Sequence, residues 1–174
     1  MRKNFEPEEI DKLTGLLEQS VFLTRIRDEV HRAVRFERPV SLLLLSFAKT
    51  QKLEDFHPRM VKGYGTLRLL GNVIRLMLRD IDLAGRVDAE VLGLLLPETG
   101  LAGAKVVAEK ICAKIATHEF PGETLDSLIR LEVNVGYSSY PEHGLDADIL
   151  LATSQVALIR AHERGQSLAV EASD

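Results

Sequence analysis

The chain has 174 residues, 45% of them apolar and 28% charged, with 22 basic against 26 acidic side chains. That is one domain's length with room for a proper core, and the net charge of -4 gives no electrostatic case for nucleic acid or anionic lipid. No apolar run reaches the roughly 18 to 20 residues of a membrane span, residues 1–10 lack the apolar centre of a signal peptide, and the lone Cys112 rules out an internal disulfide framework, which fits a reducing cytoplasm.

Residues 1–10 read as a loose entry arm or linker ahead of one domain over 11–174. Asp11-Lys12-Leu13-Thr14-Gly15-Leu16 forms a turn-like knot. A helix follows, its core stripe set by Phe22, Ile26, Val30 and Val34 at a spacing of four, and Pro39 bars its continuation. Arg25, Arg32, Arg35 and Arg38 read as a solvated face. Val40 to Phe47 is apolar without helical polar spacing, which predicts a strand covered on both faces. After a polar connection over 48–57, the pattern from Pro58 to Arg79 is helical again, weakened by Gly63, Gly65 and Gly71.

Two short strands, 83–87 and 91–96, lie close enough to form a hairpin. A third helix over Gly100–Thr117 has Ala104, Val107, Ala108, Ile111 and Ile115 inward and Lys105, Glu109, Lys110 and Lys114 outward. Cys112 within it reads as a small buried hydrophobe. Residues 118–127 look irregular around Pro121-Gly122, and Leu128–Ser139 alternates as a strand. Pro141-Glu142-His143-Gly144 turns the chain into a helix over Asp146–Arg164, closed by Gly165, with Leu168–Val170 as a last edge strand. The five histidines show no ligand spacing, and no metal site is expected. The order gives an α/β fold, a mixed central β-sheet with a β-hairpin, wrapped by helices.

Asp11–Leu16, Arg35 with Pro39-Val40-Ser41, Asp82-Leu83-Ala84-Gly85-Arg86, Leu94-Leu95-Leu96-Pro97, Ala108-Glu109-Lys110-Ile111, Val133-Asn134-Val135-Gly136-Tyr137 and Ala157-Leu158-Ile159-Arg160-Ala161 follow one another in this order. Together they resemble the GGDEF family, the diguanylate cyclases that condense two GTP into cyclic di-GMP, over about residues 11–170. The resemblance implies a central sheet related to the palm of polymerases and to adenylyl cyclase.

Against that family the chemistry positions depart. The Gly-Gly-Asp/Glu-Glu-Phe hairpin falls on Asp88-Ala89-Glu90-Val91-Leu92. Two glycines there would let the backbone approach a triphosphate; here a carboxylate and a Cβ intervene, and only Glu90 keeps its acid. The strand-end magnesium aspartate falls on Ser46 and the second acid of that motif on Ala48, where magnesium in phosphoryl transfer needs carboxylates plus phosphates. The base-reading positions fall near Glu54 and Tyr64, and the late phosphate-holding lysine and arginine on His162 and Gln166. The resemblance therefore implies a domain without cyclase activity, its vestigial active site at Ser46, Asp88, Ala89, Glu90 and Val91.

Arg79-x-x-Asp82 survives. In the family this motif is the product-inhibition site for cyclic di-GMP, and a further family arginine falls on Lys110, which keeps the charge without the planar fork. Alone the motif is a weak pattern, equally readable as an i, i+3 ion pair at a helix end. The expected function is a non-catalytic signalling domain that binds cyclic di-GMP through Arg79, Asp82 and Lys110 and acts by protein contact. A ligand-independent interaction or dimerisation module is the alternative, and residual GTP binding at the altered hairpin a third reading. No cofactor is expected beyond that ligand. A partner protein, or a second copy of the chain, is expected.

Overall fold

A computed structural model of the protein describes residues 5–49, 64–121, 128–164 and 169–173. Helix α1 (Gln19–Phe36) starts where the Glu18 carboxylate accepts the Ser20 N–H at 2.8 Å and ends at Glu37, whose φ of 52° turns the chain into the left-handed region. Phe22, Ile26 and Val30 are fully buried as expected, but the stripe then passes to Ala33, and Val34 is 39% exposed. The reason is rotational. Four residues advance a helix by more than a full turn, so a strict spacing of four drifts off the core face and a step of three restores it.

Strand β1 (Val40–Lys49) runs two residues beyond the expected end and forms the middle of a five-stranded sheet, order β2-β3-β1-β6-β7. It pairs antiparallel with β3 (Val91–Pro97) and β6 (Leu131–Tyr140). Beyond them β2 (Leu83–Arg86) pairs antiparallel with β3, and β7 (Ala169–Glu171) parallel with β6, so the sheet is mixed. Leu42 and Leu44 face a core built with α1 and α4 (Ala147–Arg164), while Leu43 and Leu45 face one built with α2 (Tyr64–Met77) and α3 (Leu101–Thr117). Burial on both faces explains a run of four leucines with no polar alternation.

The remaining differences from the sequence reading are local. Helix α2 ends at Met77, not Arg79, and its expected start at 58–63 lies outside the described residues. The stretch expected to be irregular carries β4 (Phe120–Pro121), which pairs with β5 (Leu128–Ile129) as a separate two-stranded sheet. The expected single strand from Leu128 is thus interrupted at Arg130. A fully buried Phe120 ties this small sheet to the α2–α3 core. Asp146 precedes α4 and accepts the Ile149 N–H at 2.8 Å. Gly165 and Leu168 lie outside the described residues.

Residues 5–10 are docked rather than loose. Pro7–Glu9 makes one 3-10 turn, Ile10 bridges to Leu17, and Glu18 N–H donates to Glu9 O at 2.8 Å. Two close approaches fix the layers. The ring of Phe22 occupies the space that side chains at Gly85 and Gly93 would fill, and Gly136 lets the α4 main chain at Ser154 and Leu158 lie directly on β6. No helix among the described residues is long and apolar enough to cross a membrane.

Candidate functional site

The hairpin loop Val87–Glu90 is closed by its own groups. Val87 and Asp88 donate their N–H groups to Val91 O at 2.9 and 3.1 Å, and Val91 N–H reaches Asp88 O at 3.4 Å. The Asp88 carboxylate accepts the Ala89 N–H at 2.6 Å. Beneath the loop, Arg86 donates to Ala89 O at 2.6 Å and Asp88 O at 3.4 Å, and Gln19 Nε2 donates to Val87 O at 2.6 Å. Asp88, Ala89 and Glu90 are exposed and Val91 half-buried.

Arg86 also ties the loop to the N-terminal knot, its Nη1 lying 3.5 Å from Asp11 Oδ1. Asp11 in turn accepts the Thr14 N–H at 2.9 Å and hydroxyl at 2.7 Å. Burial pushes the Asp11 carboxyl up, but the Thr14 bonds and the Arg86 charge outweigh it and hold the pKa below the ordinary value of 3.8.

Ser46 sits in register between Val91 on β3 and Asn134 on β6. This row offers a hydroxyl and an amide where a divalent cation would want carboxylates. The Asn134 side-chain oxygen is buried, with no hydrogen-bond partner among the described residues. Among the described residues, no group of three or more His, Cys, Asp or Glu is placed to hold a metal ion.

Arg79 and Asp82 do come together, though not as a solvated pair on a helix. They close a turn just past the end of α2: Asp82 N–H donates to Arg79 O at 3.0 Å, and Asp82 Oδ2 accepts the Arg79 N–H at 2.8 Å. The guanidinium forks onto the same carboxylate, Nε to Oδ2 at 3.1 Å and Nη2 to Oδ1 at 2.8 Å. Nη2 also donates to Thr99 Oγ1 at 2.6 Å and Pro97 O at 3.2 Å. The bonds to Asp82 raise the Arg79 pKa above its ordinary value.

Exposure divides the pair: the Asp82 side chain is 4% exposed and that of Arg79 53%. The arginine therefore presents an open cationic plane, suited to stacking on a base or meeting a phosphate. The aspartate is a buried support whose acceptor positions Arg79 already fills. Lys110 stands exposed on α3, and among the described residues no hydrogen bond or ion pair joins it to Arg79 or Asp82. Sequence reasoning missed Thr99 and the Pro97 carbonyl. The signal available was a polar threonine two residues past the proline that ends an all-apolar strand. Of the other expected positions, Glu54 and Gln166 lie outside the described residues, and His162 is exposed on α4.

The model of the family described as "Diguanylate cyclase, GGDEF domain" matches residues 8–168. The chain belongs to the GGDEF domain family. Among its relatives, the response regulator PleD of Caulobacter vibrioides is 26% identical over 165 residues, which is 92% of this chain and 35% of PleD. The diguanylate cyclase DgcP of Pseudomonas aeruginosa is 26% identical over 158 residues, 90% of this chain and 23% of DgcP. This GGDEF domain thus spans about a third or less of the length of these curated relatives.

Solved structures agree on the fold. The GGDEF domain of DgcB from Caulobacter crescentus, in complex with cyclic di-GMP, superposes with a TM-score of 0.84 at 14% identity, covering 100% of this chain and 98% of that one. The diguanylate cyclase SiaD from Pseudomonas aeruginosa, in complex with its activator SiaC, gives a TM-score of 0.79 at 25% identity, covering 94% and 62%.

Proposed function

We propose that this GGDEF domain is non-catalytic, binds cyclic di-GMP at the Arg79 corner and acts through contact with a partner protein. The observation that carries the reading is the contrast between the two halves of the site. At the hairpin, the Ala89 amide already holds a carboxylate, the exposed Asp88 stands where phosphates would lie, and Ser46 supplies no metal-binding charge. A diguanylate cyclase such as DgcP is named for chemistry that this corner is poorly equipped to perform, because Asp88 and Ala89 stand where the two glycines of the signature would let the backbone approach a triphosphate. At the other half, an arginine is held by four acceptor atoms with half of its side chain left in solvent.

DgcB was solved with cyclic di-GMP and SiaD with a protein activator, which are the two kinds of partner this reading calls for. In the bound state Arg79 stacks on or pairs with a guanine or phosphate, Asp82 keeps the turn closed, and Lys110 contributes charge at longer range. Calorimetric titration with cyclic di-GMP is the test. Binding that is lost in Arg79→Ala supports the reading. No heat at high micromolar ligand with folded protein, or equal binding by the variant, defeats it. Formation of cyclic di-GMP from GTP and magnesium by the purified chain would overturn the non-catalytic half independently.

The ligand-independent interaction module is the second reading, and one observation favours it. Leu145, Ile149, Val156 and Ile159 are all substantially exposed along and just before α4, an apolar stripe of the kind that marks a contact surface. A silent titration together with a concentration-dependent dimer would decide for it.

A further inference from the structure

At the Pro97 end of the sheet, the Arg79 corner is the first link of a longer line of hydrogen bonds. Thr99 Oγ1, which accepts from Arg79 Nη2, donates to Pro97 O at 3.0 Å. The Thr99 carbonyl accepts the Ser41 hydroxyl at 2.7 Å. Ser41 has one hydroxyl proton and it is committed there, so the 2.6 Å contact between Ser41 Oγ and Ser139 Oγ is donated by Ser139. The Ser139 N–H donates to His143 Nδ1 at 3.0 Å, which places the proton of the neutral ring on Nε2. Nε2 then donates to Ser173 Oγ at 2.9 Å, with Glu171 Oε1 3.5 Å away. Every proton in the line has a direction.

The line crosses β3, β1 and β6 and ends just beyond β7. Thr99, Ser41 and Ser139 are buried, and the His143 side chain is 6% exposed, so water is poorly placed to replace a lost member. Neighbouring Ser138 and Ser154 each reach a main-chain carbonyl, Leu150 O and Leu42 O. The Ser139 hydroxyl instead depends on Ser41. At the far end, β7 is a three-residue edge strand. Among the described residues its other hydrogen bonds include pairing with Val135–Tyr137, the Ala172 N–H to Tyr137 O at 2.9 Å, and Arg160 Nη1 to Ala172 O at 3.2 Å, with α3 and α4 packed beside it. Short edge elements open at the low end of a domain's stability range, so one bond more or less is a sizeable fraction of what holds this one.

We propose that this line couples the Arg79 corner to β7, so that drawing the Arg79 guanidinium away from Thr99 loosens the C-terminal strand. The coupling goes beyond the ligand reading and does not require it. Native-state amide exchange over Ala169–Ser173 tests it without ligand, in wild type, Arg79→Ala, Ser139→Ala and the double variant. Each single change is expected to speed these amides about twofold or more relative to Leu44 and Leu94 in the sheet centre, with the double variant no faster than Ser139→Ala alone. Wild-type exchange at 169–173 in Arg79→Ala overturns the proposal, as do effects that simply multiply in the double variant. Should Ser139→Ala fail to fold, His143→Ala at the periphery takes its place with the same expected pattern.

Discussion

Replacing Asp82 by alanine separates support from recognition at the Arg79 corner. The carboxylate accepts four bonds, one from the Arg79 main-chain N–H and three from its guanidinium, and is 4% exposed. Removing it takes a charged acceptor from the main-chain N–H of a closed turn, a bond of the class worth about 1.5–3 kcal/mol. The guanidinium is 53% exposed and returns to water, so the ion pair itself adds only about 0.2–1 kcal/mol after screening. The expected loss is therefore about 2 kcal/mol, or roughly 4–8 °C in Tm for a domain of this size.

Arg79→Ala keeps the carboxylate on the main-chain N–H and uncovers it to solvent, so its cost is about 1 kcal/mol or less. Yet this is the change expected to abolish binding. Urea unfolding followed by far-ultraviolet circular dichroism is the assay, since the chain has no tryptophan. If Asp82→Ala stays within about 0.5 kcal/mol of wild type, or Arg79→Ala costs more than Asp82→Ala, the assignment of support to Asp82 is wrong.

Three further outcomes follow from the same structure. Asp11 has a folded pKa below its ordinary 3.8, so its contribution is present above that pH and lost as pH falls through the folded value. The stability advantage of wild type over Asp11→Asn should accordingly shrink in acid unfolding series below about pH 4. Burial pushes the Cys112 thiol up to about 11, so mass spectrometry should find it unalkylated by iodoacetamide at mildly alkaline pH until denaturant is added. Phe22→Ala should cost about 3–5 kcal/mol in urea unfolding, and Gly93→Ala, harmful in wild type, should cost less in that background because the Phe22 ring it strikes is gone.

What could be read from the sequence was whatever periodicity controls. The leucines of β1 and the apolar stripe of α3 signal their elements because burial on two faces or one stripe leaves a local pattern, and the motif order then led to the right family. A strict spacing of four points to Val34 because it looks helical while drifting off the face. The β4–β5 pair was invisible, since two-residue strands carry no period and Phe120 is fixed by long-range packing. The apolar pattern carries α2 to Arg79 because Leu78 continues it; Asp82 captures the Arg79 main-chain N–H just past the helix's actual end, through a side chain no helix rule anticipates. Thr99, Ser41 and Ser139 are three unremarkable polar residues in sequence, and only the sheet register lines them up.

The bond from Asp88 to the Ala89 amide has one more consequence. The loop carries its own anion, tethered one residue from the donor it occupies. A free phosphate reaching for that N–H competes with a group whose effective concentration is set by a single peptide unit rather than by solution. Any ligand oxygen approaching the Ala89 N–H has first to displace the Asp88 carboxylate from it.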